Sequence, residues 1–154
     1  SILSLEEVDT SFHARYSAVG KVYEYRVQIA PVYDPSLRLY THHILDFNQA
    51  LFEEKTGVLI GKHNFQSFVN AGSQEKNPYK EIRAITMHPK DYGAVFRFEA
   101  DGFLYKMVRN LMGALLDSKI TKKVLQNILN GKDRKKLGKP APAKGLFLVD
   151  VHYP

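Results

Sequence analysis

The order of strand-like and helix-like segments predicts an α+β fold, with an antiparallel sheet backed by helices. Three observations support this class. From Lys21 to Ile29, the side chains alternate with the period of a strand and include aromatic and β-branched residues. Two later strand-like segments flank the turn-forming hexapeptide HPKDYG, which is typical of a hairpin. After Asp101-Gly102 the apolar period changes from that of a strand to that of a helix.

The first half of the chain is predicted to hold one strand and one helix. Residues 1–19 show little periodicity and are predicted to form a loop before the strand. Asp46, with Gln49 three residues later, resembles a capping box and is predicted to start a helix that ends at Gly61. The sequence GKHNFQSFVNAGS at this end is predicted to be a turn-rich segment with two phenylalanine anchors.

The second half is predicted to contain the hairpin, two helices and a last strand. The hairpin joins Ile82–Met87 to Ala94–Ala100. Apolar residues between Leu104 and Leu115 have helical spacing, and a second helix is predicted from Thr121 to Gly131. The closing sequence LFLVDVHY is dense in leucine and valine, which predicts a strand buried on both faces.

Length and composition are those of one soluble globular domain of 154 residues. The absence of cysteine excludes disulfides, thiolate nucleophiles and cysteine-ligated zinc. No run reaches the roughly 18 apolar residues of a membrane span, so we expect no membrane association. We expect a cytoplasmic protein, or an organellar one if the source is eukaryotic. The first residues do not form a signal peptide, and the chain lacks an initiator methionine, which we expect of a fragment.

The positive charge is unevenly distributed. The net charge of +6 favours an anionic partner. Between Lys119 and Lys144 there are nine cationic residues and one acid, Asp133, a local excess of eight positive charges. Six of the nine lie in GKDRKKLGKPAPAKG, which is predicted to be a flexible basic loop, too polar and too rich in proline and glycine to pack. Charge alone does not separate a nucleic-acid surface from ordinary solvated surface.

Several familiar chemistries have no motif in this sequence. A phosphate-binding P-loop and a GxGxxG turn are both absent, and the serines lack a nucleophile-elbow context. His42 and His43 are adjacent, so one helix or strand face cannot present both to a metal ion. We therefore expect no metal site.

The loop before the first strand is one candidate site. Phe12, His13, Arg15 and Tyr16 place aromatic and donor groups close together. RNA sites commonly combine aromatic rings that stack on bases with cations that hold phosphates. The alternative is that Phe12 and Tyr16 only anchor the loop to the core.

The first strand and the helix after the hairpin hold the other candidates. Tyr23 and Tyr25 share one strand face, where burial in the core is the ordinary interpretation. Arg109 lies between Val108 and Leu111, and an unpaired guanidinium in apolar surroundings is costly. No acid stands three or four residues away from it, so its partner must be a distant acid or an anionic ligand.

Four segments, taken in order, resemble one known family. SFHARYSAVGKVYEYRV, GKHNFQSF, FRFEADGFLYKMVRNLMGALL and PAKGLFLVDVHYP are similar to successive motifs in the C-terminal half of the tRNA pseudouridine synthase A (TruA) family. The order and approximate spacing agree over nearly the whole chain. FHAR before a Y-x-Y strand, MVRN and a terminal GL-x-L are specific in combination, although each alone is weak.

The resemblance implies a pseudouridine synthase fold whose sheet is mixed and mainly antiparallel. It also implies an isomerase that converts uridines on the 3′ side of the tRNA anticodon stem-loop to pseudouridine, with no cofactor and no metal. The reaction breaks the C1′–N1 glycosidic bond, turns the uracil and rejoins it through C5. The family further implies a homodimer, with tRNA spanning both subunits.

The resemblance assigns roles to three residues of the site. Tyr23 corresponds to the active-site tyrosine that stacks on the target base and is a candidate for the final proton step. Arg109 corresponds to the arginine that pairs with the catalytic aspartate. Leu146 corresponds to the aliphatic residue that lines the pocket beneath the base.

Other residues are expected to contact the RNA. By the same resemblance, His13, Arg15 and the segment Gly61–Phe68 lie at or near the RNA-facing cleft. A basic residue often precedes the family's tyrosine directly; here Val22 takes that place, and Lys21 stands one position earlier. Five cationic residues are expected to meet the RNA backbone: Lys132, Arg134, Lys135, Lys136 and Lys144.

One departure from the family concerns the nucleophile. The family's catalytic aspartate lies in an R-T-D-A-G-V-H type motif of the N-terminal half, and nothing similar occurs here. We therefore expect a single domain over residues 1–154 that corresponds to the C-terminal half of the enzyme and is inactive alone. One alternative is a stand-alone basic RNA-binding module without catalysis. Another is a structural domain with an incidental basic loop.

Overall fold

Six strands and three α-helices form the part of the chain that the computed structural model describes, residues 2, 4–69, 76–131 and 134–154, with the backbone only of Arg134. In chain order they are β1 (Gly20–Ile29), β2 (His42–Ile44), α1 (Gln49–Leu59), β3 (Gly61–Asn64), β4 (Tyr79–Lys90), β5 (Gly93–Ala100), α2 (Met107–Leu116), α3 (Lys122–Leu129) and β6 (Leu146–His152). Short 3-10 turns occupy Pro35–Leu37, Gln66–Phe68, Arg134–Leu137 and Ala143–Gly145.

All six strands belong to one mixed sheet. Its order is β2-β1-β5-β4-β3. β6 and β2 both pair with the edge of β1 that faces away from β5: β6 pairs with the N-terminal part of β1, and β2 pairs with its C-terminal part. Among the described pairs, β1 and β2 run parallel and the other four pairs are antiparallel. The predicted α+β class, with a mixed and mainly antiparallel sheet, is confirmed.

The hydrophobic core lies on one face of this sheet. Phe96 and Phe98 of β5 are fully buried, as are the α2 residues Leu111 and Met112, and all four belong to one core cluster. The Phe96 ring lies 5.0 Å from that of Phe52 on α1. The alternation predicted for β5 is therefore confirmed.

The opposite sheet face carries charged side chains. Glu24 of β1 lies 3.9 Å from Arg26 and 3.9 Å from Arg97 of β5. Arg26 also places its guanidinium 4.1 Å from the ring centre of Phe147. The middle of β1 thus separates the core from a polar surface, as the alternating sequence predicts, although Val22 and Gln28 on the polar face are buried.

The hairpin and α3 match their predicted positions closely. β4 and β5 pair in a continuous antiparallel register from Ala84 to Lys90, and Gly93 takes a positive φ of 144° at the turn. The hairpin strand extends to Lys90, so the turn is shorter than the predicted hexapeptide. The side chain of Thr121 caps α3 by accepting a hydrogen bond from the amide of Val124.

The start of α1 differs from the prediction. Asn48, and not Asp46, is the N-cap, because its side chain accepts a hydrogen bond of 2.9 Å from the amide of Leu51. Gly61 follows the end of the helix, as predicted, and takes a positive φ of 100°. The residues from Gly61 to Asn64 were predicted to be turn-rich, but they form β3 against β4, which an isolated four-residue segment does not reveal.

The start of α2 also differs from the prediction. The helix begins at Met107, although the apolar spacing begins at Leu104. Lys106 has a φ of 59°, and a left-handed residue interrupts a right-handed helix. Leu104 still contributes to the core cluster from the turn before the helix, which is why its apolar character continues the helical pattern.

Two predictions about the C-terminal quarter are wrong. The basic segment was predicted to be a loop that does not pack, but Leu137 and Ala141 within it are buried in the core cluster. β6 was predicted to be buried on both faces, but Leu148 is 53% exposed and Val149 is 42% exposed. β6 lies at an edge of the described sheet, with β1 as its partner, so its apolar side chains are not covered on both faces.

Helix α2 packs unusually closely against the segment before β6. The amide of Ala141 donates a hydrogen bond of 2.9 Å to the carbonyl of Arg109. A methyl group added at Gly113 would lie 2.4 Å from the carbonyl oxygen of Lys139 and 3.2 Å from the amide nitrogen of Ala141. Glycine is therefore required at position 113 by space.

At its other end, α2 is held by a buried lysine. Lys55 of α1 has no exposed surface, and its Nζ donates to the carbonyls of Ala114, at 2.9 Å, and Asp117, at 3.0 Å. These carbonyls lie at the C-terminal end of α2, where backbone acceptors lack helical partners. Burial lowers the pKa of Lys55 to about 8, against the opposing effect of the Asp117 charge.

Replacement of Gly113 by alanine should destabilise the protein by about 1–3 kcal/mol, because the methyl group forces α2 away from Lys139. Urea unfolding measures the change. Gly57→Ala in α1 is the matched control, since nothing lies within 4 Å of the added methyl group. That control should gain up to about 1 kcal/mol from helix propensity. Equal effects at the two glycines would contradict the close packing of α2.

Lys55 should make the free energy of unfolding rise with pH from about pH 8 towards 10.5, its ordinary pKa. In this window the unfolded chain binds a proton that the folded protein has released, so deprotonation favours the folded state. Below pH 8 both states are protonated and the contribution is constant.

Urea unfolding of the wild type and of Lys55→Met, compared from pH 7 to 9.5, isolates this dependence, because tyrosine ionisation is common to both. The exposed Lys123→Met is the control and should keep the wild-type slope. Parallel pH profiles for the wild type and Lys55→Met would show that Lys55 keeps an ordinary pKa.

Candidate active site

A cavity of about 270 Å³ is formed by the loop before β1, by β1 and β6, by the connection from β5 to α2, and by the start of α2. Nine residues line it: Arg15, Tyr23, Phe103, Leu104, Tyr105, Lys106, Met107, Val108 and Leu146. Of these nine, two are cations, none is acidic, and the rest are aromatic or aliphatic. Such a wall suits a flat ring attached to an anionic chain.

Tyr23 is half-buried in the wall of the cavity. Its ring meets that of Phe103 edge to face, with the centres 5.3 Å apart and the planes at 89°. Burial raises the pKa of Tyr23, so its hydroxyl is protonated at neutral pH. The phenol ring of Tyr23 thus packs against a second aromatic ring, in a cavity whose wall also contains two cationic residues.

A β-bulge lies beside Tyr23. On β6, Asp150 is opposite Val22, whereas Leu148 is opposite Tyr23, so Val149 is an extra residue. Bulges bend a strand and redirect the side chains next to them. Beyond the bulge, Leu146 is opposite Tyr25 and lines the cavity. No feature of the sequence marks this bulge.

The connection between β5 and α2 forms another wall, and sequence reasoning missed its contribution. Phe103, Tyr105 and Lys106 all line the cavity. Asp101 anchors the start of this connection, since its carboxylate accepts a hydrogen bond of 2.9 Å from the amide of Glu81. Lys106 is the one described residue other than glycine with a positive φ. A run of aromatic residues and a lysine between a strand and a helix was the available signal.

Arg15 reaches the cavity from a loop that is braced by its own side chains. The Nδ1 atom of His13 accepts hydrogen bonds from the amides of Arg15, at 3.1 Å, and Tyr16, at 3.3 Å. The hydroxyl of Tyr153 donates to the carbonyl of Ala14 at 2.8 Å. The Phe12 ring lies 5.0 Å from the Tyr153 ring, so Phe12 anchors the loop to the end of β6.

Arg109 lies one residue beyond the cavity wall, in the first turn of α2. Its Nε donates a hydrogen bond of 2.8 Å to the carbonyl of Ala141. No ion pair joins Arg109 to any acid of the described residues. The expected acidic partner is therefore absent from the described part of the chain, and a backbone carbonyl holds one edge of the guanidinium.

Comparison with known proteins identifies the family of this chain. A family model described as tRNA pseudouridine synthase matches residues 57–154, more than half of the chain. The chain belongs to the tRNA pseudouridine synthase family. The matched region includes the connection from β5 to α2, Arg109 and Leu146.

Individual synthases named tRNA pseudouridine synthase A are similar over nearly the whole chain. The protein called tRNA pseudouridine synthase A 1 of Protochlamydia amoebophila is 37% identical, over 99% of this chain and 62% of its own length. The synthases of Acetivibrio thermocellus, 36% identical, and Finegoldia magna, 39% identical, are covered over 62% and 64% of their lengths. The chain thus spans less than two thirds of these relatives. The predicted resemblance to the TruA family is confirmed.

The remaining candidate residues of this chain do not line the cavity. His13 supports the loop through its backbone contacts, and Lys21 lies two residues before Tyr23 on β1. The segment Gly61–Phe68 begins with β3, the strand at the other edge of the sheet from β2. Its link to the site is indirect, because the Nδ2 of Asn110 in α2 donates to the carbonyl of Phe68 at 2.7 Å.

The five cationic residues predicted to meet the RNA backbone differ in their surroundings. The Nζ of Lys144 donates to the carbonyl of Arg38 at 2.9 Å, so this lysine has a structural contact. Lys135 and Lys136 are exposed. Lys132 and the side chain of Arg134 lie outside the described residues.

Two kinds of feature are absent from the described ranges. No three histidine, aspartate or glutamate side chains there are grouped so that they could hold a metal ion. No helix in those ranges is long and apolar enough to cross a membrane.

Proposed function

We propose that this chain supplies the base-binding wall of a tRNA pseudouridine synthase that isomerises uridines on the 3′ side of the anticodon stem-loop. The observation that carries the proposal is the meeting of Tyr23, Leu146 and Arg15 in one cavity, from three separate parts of the sequence. In the proposed complex the uracil ring stacks on Tyr23 above Leu146. Arg15 and Lys106 hold the phosphates on either side of it.

The proposed chemistry needs a carboxylate that the cavity lacks. Cleavage of the C1′–N1 bond leaves C1′ of the sugar short of electrons. A carboxylate next to it can bond to C1′ as a nucleophile, or can take a proton from the neighbouring carbon as a base. None of the nine lining residues is acidic. We therefore propose that the catalytic aspartate comes from a further segment of the protein and pairs with Arg109, and that the 154-residue chain alone is inactive.

Tyr23 is proposed to act in the last proton step. After the uracil turns and C1′ bonds to C5, the proton on C5 must leave. Because burial raises the pKa of Tyr23, the resting hydroxyl is protonated, and the phenolate is a stronger base than a free one. Its own proton must therefore pass to the carboxylate or to water as the C5 proton is taken.

A second candidate function is a stand-alone RNA-binding module without catalysis. The local excess of positive charge between Lys119 and Lys144, and the lack of an acid in the cavity wall, favour this interpretation. The two functions differ in chemistry and share the RNA surface. Product formation therefore separates them, whereas binding does not.

The deciding assay is tritium release from an anticodon stem-loop that carries C5-tritiated uridine. The chain alone should release none. The chain joined to the preceding part of its own reading frame should release it under single-turnover conditions. In that complete enzyme, Tyr23→Phe should bind the RNA with wild-type affinity, because the ring remains, and should lose about 10²–10⁴ in rate with the hydroxyl.

Tyr79→Phe is the matched control, because this tyrosine is exposed at the start of β4 and should keep the wild-type rate. Tight binding without release by the complete enzyme would establish the RNA-binding module. Release by the isolated chain would show that a nucleophile lies within it.

Lys135 and Lys136 should contribute to RNA affinity by neutralising phosphates. Their replacement by glutamine should flatten the plot of log K against log salt by about 0.7–0.9 for each phosphate that is no longer neutralised. This slope is measured by filter binding of tRNA at salt concentrations between about 50 and 200 mM. Gln replacements of Lys76 and Lys90, exposed lysines outside the segments expected to contact the RNA, are the control. An unchanged slope in the first variant would identify Lys135 and Lys136 as ordinary solvated surface.

A further inference from the structure

Tyr25 makes a contact that packing alone does not explain. It is fully buried, two residues from Tyr23 on the same face of β1. Its hydroxyl donates a hydrogen bond of 2.7 Å to the carbonyl of Pro142. Burial raises the pKa of Tyr25 well above its ordinary value, against the opposing charge of Arg109, so the hydroxyl remains a donor at neutral and mildly alkaline pH.

The residue bonded by Tyr25 follows directly after the residue that holds Arg109. The carbonyl of Ala141 accepts from Nε of Arg109 at 2.8 Å, and its amide donates to the Arg109 carbonyl at 2.9 Å. Pro142 is restricted in φ by its ring and takes −54° here. Three hydrogen bonds therefore hold Ala141 and Pro142. Among these described contacts, the bond from the Tyr25 hydroxyl is the only one made by β1.

The Tyr25 ring also sets the path of the chain into β6. A methyl group added at Gly145 would lie 2.9 Å from Cζ of Tyr25 and 2.9 Å from the carbonyl oxygen of Arg26. The backbone thus runs directly against the ring, and the next residue, Leu146, lines the cavity. One side chain touches both the support of Arg109 and the approach to Leu146.

The orientation of Arg109 follows from this support. A guanidinium presents its five N–H groups in a rigid planar fork. With Nε directed to Ala141, the two terminal nitrogens remain to take a carboxylate through two parallel hydrogen bonds. A shift of the Ala141 carbonyl would rotate the whole fork, because the guanidinium is rigid.

We propose that Tyr25 is a positioning residue of the synthase site, whose hydroxyl holds Pro142 and through it the Ala141 carbonyl that aims Arg109 at the catalytic carboxylate. This inference rests on the proposed function, because it requires that Arg109 pair with a carboxylate during the reaction. Tyr25 itself is not among the residues that line the cavity in which the base is proposed to bind. Its loss should therefore affect the rate of the chemical step and leave RNA binding unchanged.

The test uses the complete enzyme and single-turnover tritium release. Tyr25→Phe should lower the rate by about tenfold or more and leave the RNA dissociation constant unchanged. A loss of this order is expected when a reacting group is misplaced by up to about 1 Å. In an Arg109→Lys background, which lacks Nε, the same change should have little further effect, because the route through Ala141 is already broken. Tyr79→Phe, whose ring is exposed at the start of β4, is the control for the loss of a tyrosine hydroxyl.

A second pair of variants separates the hydrogen bond from packing. 4-Aminophenylalanine at position 25 keeps a donor of similar size and should keep most of the rate, whereas 4-fluorophenylalanine keeps the size without the donor and should lose it. Wild-type rates for Tyr25→Phe and the fluoro variant, or full additivity with Arg109→Lys, would overturn the positioning role. No release from the wild-type enzyme would instead overturn the proposed function, and the positioning role with it.

Discussion

The close docking of α2 onto the segment before β6 is the constraint on which the site depends. Two hydrogen bonds join Arg109 to Ala141, and Gly113 leaves room for the carbonyl of Lys139 one turn further along the helix. The docked segment continues into Leu146, which lines the cavity. The contact between α2 and the segment before β6 therefore fixes the relative positions of α2, this segment and β6. A displacement of any one of them moves the other two.

The two ends of α2 are stabilised differently, one by hydrogen bonds from a buried lysine and the other by a change of backbone conformation. At the C-terminal end, the buried ammonium of Lys55 satisfies two backbone carbonyls, and its burial lowers its pKa. At the N-terminal end, Lys106 takes a left-handed conformation, so that the residues before it turn into the cavity wall. The interior of the helix supplies the apolar packing in between. The buried cation and the left-handed lysine each carry a conformational or solvation cost that tertiary contacts offset.

Local patterns predicted those elements whose surroundings resemble an average protein interior. The alternation in β1, the hairpin and the Thr121 cap of α3 all depend on near neighbours in the sequence, and all three are confirmed. The errors occurred where distant contacts prevail. Leu104 is apolar because it packs from a turn, and Leu137 is buried although charged residues surround it in the sequence. The apolar strand β6 is exposed because it lies at an edge of the described sheet.

The sequence by itself determined the α+β class, the family, and the presence of a tyrosine, an arginine and a leucine whose types suit a base pocket. It also determined that Arg109 has no acid nearby in the chain, because helical spacing is a local property. Only the tertiary structure decided that Tyr23, Leu146 and Arg15 share one cavity, and that Phe103 and its neighbours complete it. It also decided what holds Arg109, since a carbonyl 32 residues away in the chain becomes a hydrogen-bond partner only through packing.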